Sequence, residues 1–259
     1  MVFEATHLSV RMGGRTLFED VSFRLEAGQM LAVVGGSGAG KTTLCRALMG
    51  LLPMGAAVSG RVCYAEKDLL TLDEADRQRL YGREIALIMQ NPMTAFNPSL
   101  RLGRQLEKTW RHHHPGEDWY TAAEENCVAL LMRLGLEDVP RILRSYPSAL
   151  SGGMLQRLMI AAALLNAPHL LIADEATTAI DACNRRSLMA LLAELCREGM
   201  AVLLVTHDLR AAAVADQLLV LARGHVVEQG PTAQVMAAPA HAYTRYLLDA
   251  CHLERRRGR

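Results

Sequence analysis

The sequence predicts an α/β fold in which a phosphate-binding loop joins a strand of a parallel sheet to a helix. Short, continuously apolar runs alternate with segments of helical periodicity, as in parallel strands that are covered by helices on both faces. A G-x-x-x-x-G-K-T sequence follows the first of these runs. The 259 residues suffice for one large domain, or for one domain with an inserted subdomain.

The chain is predicted to begin with antiparallel strands. Residues Val2 to Ala27 alternate apolar and polar positions around turn-forming residues at Gly13-Gly14. The run Met30 to Val34 lacks this alternation, which predicts a strand that is buried on both faces. A helix should follow from Lys41 to Leu52, because apolar residues recur there at helical spacing and Pro53 would end it.

Three more buried strands are predicted from short apolar runs: Glu84 to Met89, His169 to Asp174 and Ala201 to Thr206. Between the last two lies a predicted helix from Ala182 to Glu198, whose apolar residues recur every three or four positions and which Gly199 should end. Strands that alternate with helices in this way indicate a parallel sheet.

The segment from about residue 92 to residue 150 differs, because it is largely helical and contains no buried apolar run. It predicts a helical subdomain inserted into a single domain, whose α/β core consists of residues 1–91 and 151–259. Residues 218–230 predict a hairpin around Arg223-Gly224, followed by a short terminal helix.

Composition and charge are ordinary for a globular protein. The 28 basic side chains nearly balance the 27 acidic ones, which leaves a formal charge of +1. Such a surface has no general attraction for DNA or RNA, so we expect no nucleic-acid partner. No apolar run approaches the ~20 residues of a membrane-spanning helix, and the N-terminus lacks the features of a signal peptide. These observations predict a protein of the cytoplasm.

The glycine-rich loop predicts a site for the phosphates of a nucleoside triphosphate. Glycines let successive backbone N–H groups turn inward, and the N-terminus of the following helix adds partial positive charge. Lys41 should reach the β- and γ-phosphates, and the hydroxyl of Thr42 should bind Mg²⁺. The predicted nucleotide contacts are Gly35, Gly36, Ser37, Gly38, Ala39, Gly40, Lys41, Thr42 and Thr43. Kinases, GTPases and ATPases all use such a loop.

Two later strands end in polar residues that suit hydrolysis. Asp174 and Glu175 follow one apolar strand, and His207 follows the next. Because the carboxyl ends of parallel strands line the ligand crevice, these side chains should face the triphosphate. Asp174 would then hold Mg²⁺ through water, Glu175 would act as the general base for the attacking water, and His207 would contact the γ-phosphate. The predicted catalytic residues are therefore Lys41, Glu175 and His207.

A further motif resembles a known family. Leu150 to Arg157 (LSGGMLQR) opens an apolar helix and resembles the signature L-S-G-G-Q of ABC ATPases. The resemblance implies a P-loop NTPase core with an antiparallel β subdomain and an inserted α-helical subdomain. It also implies that Ser151, Gly152 and Gly153 cap the γ-phosphate that is bound by the other subunit of a head-to-tail dimer.

Other motifs extend the resemblance along nearly the whole chain. Gln90 corresponds to the Q-loop glutamine, which ligates Mg²⁺ and senses the membrane partner. Thr178 to Asp181 corresponds to the D-loop, and His207 to the switch histidine. The implied cofactors are ATP and Mg²⁺. The implied partners are two transmembrane permease subunits, a second ATPase subunit that is identical or a paralogue, and indirectly an extracytoplasmic solute-binding protein. The implied location is the cytoplasmic face of the inner membrane.

Three positions depart from the family pattern. Met154 replaces the glutamine of the signature, and Ala176 stands where proline usually follows the catalytic glutamate. The aromatic residue that stacks on adenine is missing near Met12, so we expect either the thioether of Met12 or the guanidinium of Arg11 to pack there.

Within the family, the likeness is to the peptide and nickel importer branch. Met89 to Pro98 resembles the Q-loop region of that branch, and Pro239 to Thr244 resembles its C-terminal P-x-H-x-Y-T element. The residues of the Q-loop region and of the signature most resemble those of the first ATPase of nickel and metal–metallophore importers. The cysteine-bearing tail of many peptide importers is missing. The sequence therefore favours metal cargo, with oligopeptide or dipeptide as the alternative.

Two other classes of function fit less well. Non-transport ABC ATPases usually carry two ATPase halves, a long coiled coil or zinc-binding cysteines, and the sequence has none of these. A metal-binding regulator could be built around His112-His113-His114, but three consecutive histidines do not face one metal from a regular element. A solvated loop is the better interpretation of that run.

Overall fold

The computed structural model describes the backbone of residues 2–175 and 182–257, and it contains two sheets. The strands are β1 (Val2–Met12), β2 (Arg15–Glu26), β3 (Met30–Val34), β4 (Ala56–Tyr64), β5 (Lys67–Asp68), β6 (Ile85–Ile88), β7 (Leu170–Asp174), β8 (Ala201–Thr206), β9 (Gln217–Ala222) and β10 (His225–Pro231).

The helices surround these sheets. They are α1 (Lys41–Leu48), α2 (Glu74–Leu80), α3 (Leu102–His113), α4 (Trp119–Ala122), α5 (Glu124–Arg133), α6 (Val139–Arg144), α7 (Gly152–Leu164), α8 (Ala182–Arg197), α9 (Leu209–Ala212), α10 (Thr232–Ala237) and α11 (Ala242–Arg257). None of the helices within the described ranges is both long and apolar enough to cross a membrane.

The smaller sheet is antiparallel, with the strand order β2-β1-β4-β5. β1 pairs with β2 from Val2 opposite Glu26 to Met12 opposite Arg15, around a turn whose glycines, Gly13 and Gly14, have φ values of 55° and 76°. The predicted antiparallel strands are therefore confirmed. Sequence analysis did not assign β4, because its first six residues are mostly exposed and give a weak alternating pattern.

The larger sheet has the order β10-β9-β3-β8-β7-β6. All neighbours are parallel except β9 and β10, which form the predicted hairpin. The four predicted buried strands are confirmed as β3, β6, β7 and β8. At the turn of the hairpin, Arg223 and Gly224 both have positive φ, 49° and 83°. Because β9 pairs with β3, the C-terminal part of the chain lies beside the glycine-rich loop.

Both faces of the larger sheet are buried, which explains why its strands do not alternate. In β3, Leu31 and Val33 face a core that also contains β1, β2 and α1. Ala32 and Val34 face a second core, formed with helices α3 to α8. Each strand residue thus has an apolar neighbour on one side or the other.

Two helix predictions are wrong. Helix α1 ends at Leu48 and does not continue to Leu52, because Gly50 adopts φ 63°. The N–H of Gly50 bonds to the carbonyl of Ala47, and that of Leu51 to Arg46, which is the Schellman pattern that terminates helices at glycine. After the hairpin, two helices replace the single short one, and α11 has 16 residues.

The segment from residue 92 to residue 150, which the structure describes throughout, contains α3 to α6 and two 3₁₀ turns but no strand. Its apolar side chains, such as Leu106, Trp110 and Leu131, pack into the core on the α7 side of the larger sheet. The division of the chain into a core and an inserted subdomain stays a prediction.

A contact in the smaller sheet yields a stability prediction. Gly60 in β4 has φ 95°, and a Cβ there would lie 2.4 Å from the carbonyl oxygen of His7 in β1. Gly55 has a similar φ of 90°, and no atom of the described part of the chain lies within 4 Å of its would-be Cβ. Gly60→Ala should therefore destabilise the fold by about 1–3 kcal/mol more than Gly55→Ala, since only Gly60 adds a backbone clash to the strain at positive φ.

Urea unfolding of both variants and the wild type, followed by circular dichroism, measures this difference. Equal free energies of unfolding for the two variants would show that the contact with His7 carries no cost.

Candidate functional site

The glycine-rich loop connects β3 to α1 and lies against β9. Gly35 approaches β9 so closely that a Cβ there would be 2.3 Å from the carbonyl oxygen of Leu221. Gly38 and Gly40 have φ values of 76° and 104°, in the left-handed region that glycine tolerates. Gly40 is the N-cap of α1, and no described side chain caps this end of the helix. Its N–H groups are thus available to an anion.

Lys41, the first residue of α1, is buried, with 6% of its surface exposed. Its Nζ donates hydrogen bonds to the carbonyl oxygens of Gly35 (2.9 Å) and Gly36 (3.1 Å). Burial lowers the pKa of this amine, and the charges of Glu175 and Asp174 partly offset that shift. The lysine therefore points back over the loop, next to two carboxylates.

Asp174 ends β7 and is also buried, with 5% exposed. Its Oδ1 accepts no hydrogen bond from the residues that the structure describes. Burial raises the pKa of this carboxyl, an interaction with the Thr42 hydroxyl opposes the shift, and the charge of Glu175 reinforces it. A buried carboxylate oxygen without a donor, next to a hydroxyl, is a donor set that suits Mg²⁺, which prefers oxygen ligands. These residues therefore fit the cation.

Three side chains converge on the carboxylate of Glu175. The amide of Gln90 donates to Oε2 at 2.7 Å. On the other oxygen, Oε1, Nζ of Lys41 lies at 3.9 Å and Nδ1 of His207 at 3.4 Å. Glu175 itself has φ 51°, and its backbone N–H donates to the carbonyl of Val205 at 2.8 Å. The left-handed backbone turns the side chain away from the sheet and toward the loop.

Of these groups, Lys41, Gln90 and Glu175 border a cleft of about 280 Å³. It is lined by Leu17, Ser37, Gly38, Gly40, Lys41, Thr42, Thr43, Gln90 and Glu175. Backbone N–H groups of the loop lie on one side and the carboxylate lies on the other. The arrangement can hold a phosphate chain with its terminal group near an acidic side chain.

Sequence analysis missed an ion pair at the residue that follows His207. This residue, Asp208, caps α9 by accepting from the N–H of Arg210 and forms an ion pair with Arg185 of α8. Burial alone would raise the pKa of Asp208, but the hydrogen bonds from Arg210 and the nearby guanidinium groups hold it below its ordinary value. An aspartate at a strand-to-helix junction is a recognisable helix-cap residue. No local sequence pattern indicates that Arg185 is its partner.

Other predicted site residues lie apart from this cleft. Met12 ends β1, is 41% exposed, and is not among the residues that line the cleft. Ser151 is the N-cap of α7, and its Oγ accepts from the N–H of Met154 at 3.3 Å. The predicted helix start at Gly152-Gly153 is confirmed, and no hydrogen bond between described residues joins this end of α7 to the loop. Ala176 and Thr178 to Asp181 lie outside the described residues.

The prediction that the three consecutive histidines form a solvated loop is wrong, because His112 and His113 end α3 and His114 caps it. The histidines do not converge on one point. The rings of His112 and His113 contact each other, with centroids 4.7 Å apart, while His114 stacks on Trp110 at 4.4 Å. Across the described ranges, no group of three or more His, Cys, Asp or Glu side chains is placed to share a metal ion.

The fold and the loop define a P-loop nucleoside triphosphatase. Comparison with known proteins gives the family: the model of the ABC transporter family matches residues 18–178, more than half of the chain. The chain belongs to the ABC transporter family, and it is an ATP-hydrolysing transport ATPase.

Its relatives include ATP-binding proteins of metal-staphylopine import, oligopeptide transport and peptidoglycan transport. The metal-staphylopine import system ATP-binding protein CntD of Staphylococcus aureus (strain Mu50) is 38% identical over 90% of this chain and 86% of its own. The oligopeptide transport ATP-binding protein OppD of Haemophilus influenzae is 40% identical over 91% and 73%. The peptidoglycan transport ATP-binding protein YejF of Agrobacterium fabrum is also 40% identical, over 94% of this chain, which spans less than half of that relative.

Solved structures agree with the fold. An ATP-binding cassette in a dimeric post-hydrolysis state, bound to ADP and Pi, has a TM-score of 0.79 at 26% identity, over 90% of this chain and 99% of its own. The ATP-binding subunit of an ABC transporter has a TM-score of 0.77 at 28% identity, over 98% and 99%.

Proposed function

We propose that this chain is the nucleotide-binding subunit of an ABC importer, in which it hydrolyses ATP to drive uptake of nickel or a metal–metallophore complex. The observation that carries the ATPase site is the convergence of Lys41, Gln90 and His207 on the carboxylate of Glu175, at the mouth of the glycine-rich loop. Such a carboxylate, next to the place where a terminal phosphate would lie, suits a general base for water.

The loop residues from Gly35 to Thr43 would surround the triphosphate, and the N–H groups that follow Gly36, together with the α1 N-terminus, would bind its oxygens. Lys41 would exchange its bonds to the loop carbonyls for bonds to the β- and γ-phosphates. Glu175 would accept a proton from the attacking water, and His207 would donate to the γ-phosphate as charge develops on it. Met12 would pack on the adenine through its thioether.

Thr42, Asp174 and Gln90 would hold Mg²⁺. The hydroxyl of Thr42 would bind directly, and Asp174 would bind through water. Gln90 donates its amide N–H to Glu175, so its amide oxygen is the atom that can face a cation. Bound Mg²⁺ would neutralise charge on the phosphate oxygens.

A second ATPase subunit would complete the site. Ser151, Gly152 and Gly153 open α7 with N–H groups that suit an anion, yet they do not border the cleft of their own chain. In a head-to-tail dimer this helix end would cap the γ-phosphate of the partner. The related cassette bound to ADP and Pi is dimeric, which supports this arrangement.

Permease subunits would bind an apolar groove between the larger sheet and helix α3. A cavity of about 400 Å³ lies there, lined in part by Leu51, Phe96 and Met159. Next to it, the side chains of Met89 and Met93 are 49% and 60% exposed. Exposed methionines adapt to apolar partner helices. Docking there would place the chain at the cytoplasmic face of the membrane, in indirect contact with a solute-binding protein.

The identity of the cargo is the most specific part of the proposed function. The proposal of metal–metallophore import rests on the sequences of the segment from Met89 to Pro98 and of the signature. It also rests on similarity to the ATP-binding protein of the metal-staphylopine system. The oligopeptide relative supports peptide import, of oligopeptides or dipeptides, as the second candidate.

Glu175→Gln should leave ATP binding intact and lower turnover by ~10²–10⁴, because an amide cannot accept the proton of water. Turnover of the assembled complex and binding of a fluorescent ATP analogue measure the two effects. Glu198→Gln makes the same chemical change at an exposed position of the same chain and should have no effect. Turnover of Glu175→Gln above a third of the wild-type rate would remove Glu175 from the base role.

Ser151→Arg should stop turnover by the complex and spare ATP binding by the single chain, because the cap acts on the partner's phosphate. Ser59→Arg, on exposed β4, is the control. If two identical copies form the dimer, mixing Ser151→Arg with Lys41→Ala subunits should restore part of the activity, since some pairs contain one complete site. Full activity of a demonstrably monomeric chain would contradict the split site.

Deleting the gene should lower cellular nickel, cobalt or zinc and leave peptide uptake unchanged. Metal analysis and uptake of labelled peptides test this, with complementation by the wild-type gene and by Lys41→Ala as controls. Lost peptide uptake at unchanged metal content would replace the metal cargo with peptide.

A further inference from the structure

The C-terminal helix reaches the phosphate-binding loop through one side chain. The hydroxyl of Tyr243, in the first turn of α11, accepts a hydrogen bond from the backbone N–H of Gly36 at 2.8 Å. The two residues are 207 positions apart in the chain. The aromatic ring packs against the core on the α7 side of the larger sheet, so its position is set by more than this bond.

Gly36 is held on both sides of its backbone. Its N–H donates to Tyr243, and its carbonyl accepts from Nζ of Lys41 at 3.1 Å. A Cβ on Gly36 would lie 2.9 Å from the Tyr243 oxygen, and no other atom of the described residues, apart from the adjoining ones, lies within 4 Å of it. The glycine therefore leaves the space that the tyrosine hydroxyl needs.

The segment that carries Tyr243 is itself anchored. The carboxylate of Glu228, in β10, accepts from the N–H groups of Ala240 (2.7 Å) and His241 (3.1 Å). Nδ1 of His241 accepts from the N–H of Tyr243, and the guanidinium of Arg245 donates to the carbonyls of Pro239 and Ala240. These bonds fix the start of α11 relative to the larger sheet, so the tyrosine hydroxyl is a fixed acceptor.

We propose that Tyr243 is a positioning residue for nucleotide binding, which holds the Gly36 peptide so that the following N–H groups of the loop face the phosphates. The inference rests on the proposed function, because it assigns Tyr243 to the same triphosphate site. Without the hydroxyl, the Gly36 peptide can rotate, and the loop must be ordered again each time ATP binds. The loss therefore falls on binding, while the groups around Glu175 stay in place.

Tyr243→Phe keeps the packed ring and removes only the acceptor. It should raise the Kd and the KM for ATP about three- to tenfold, in line with the loss of one neutral hydrogen bond, and leave kcat within about twofold. Tyr246→Phe is the matched control: it makes the same change on the same helix, at a ring that is 65% exposed and stacks on Tyr243, and no hydrogen bond between described residues joins it to the loop. A purely structural role in packing α11 would leave KM unchanged in both variants.

The measurements are titration of the full chain with ATP and steady-state kinetics of the assembled complex. A KM for Tyr243→Phe equal to that of Tyr246→Phe overturns the inference, provided that the wild type binds ATP. Absence of ATP binding by the wild type overturns the proposed function instead.

A second variant tests the contact from the other side. Gly36→Ala should weaken ATP binding, because its new Cβ meets the Tyr243 oxygen. The double variant Gly36→Ala, Tyr243→Phe should bind ATP more tightly than Gly36→Ala alone, because the obstructing oxygen is gone. Strictly additive losses would show that the two residues are not coupled, and would overturn the inference. Thermal melting of each variant shows whether the fold is retained.

Discussion

Burial of both faces of the six-stranded sheet is the constraint on which the rest of this structure depends. With the smaller sheet and α1 on one face and helices α3 to α8 on the other, strands β3, β6, β7 and β8 are apolar along their length and carry polar side chains only at their ends. Polar groups are confined to the carboxyl-terminal edge, where β3, β6, β7 and β8 all end. The glycine-rich loop, Gln90, Asp174 and His207 meet there because that edge is the place where a buried parallel sheet admits water and ligand.

At this edge, the charges of one buried amine and two carboxylates compensate one another. Lys41 is buried, so its charge depends on the carboxylates of Asp174 and Glu175, and their charges are compensated in turn by the lysine and by hydrogen-bond donors. A triphosphate with its cation would enter an environment that already holds both signs of charge. The ammonium group of the lysine can turn from the loop carbonyls to phosphate oxygens, because it donates hydrogen bonds to either kind of oxygen.

The loop is also tied to the far end of the chain. β10 fixes the start of α11 through Glu228, and α11 contacts the loop through Tyr243. The antiparallel hairpin of β9 and β10 makes this possible, because it brings the C-terminal segment back to the sheet edge next to β3. The glycine-rich loop is therefore in direct contact with a residue from the C-terminal part of the chain.

The sequence by itself determined the fold class, the bounds of β3 and β8, and the expectation that strand-end residues gather at one edge. These follow from local rules, since burial on both faces removes alternation and parallel strands share their carboxyl ends. It did not reveal β4 or the partner of Asp208, and it set the end of α1 four residues too late, because Gly50 stops the helix before Pro53. Only the tertiary structure decided that Arg185 pairs with Asp208 and that Tyr243 bonds to Gly36. Such contacts join residues distant in sequence, and no local pattern encodes which hydroxyl or guanidinium will fill a given gap.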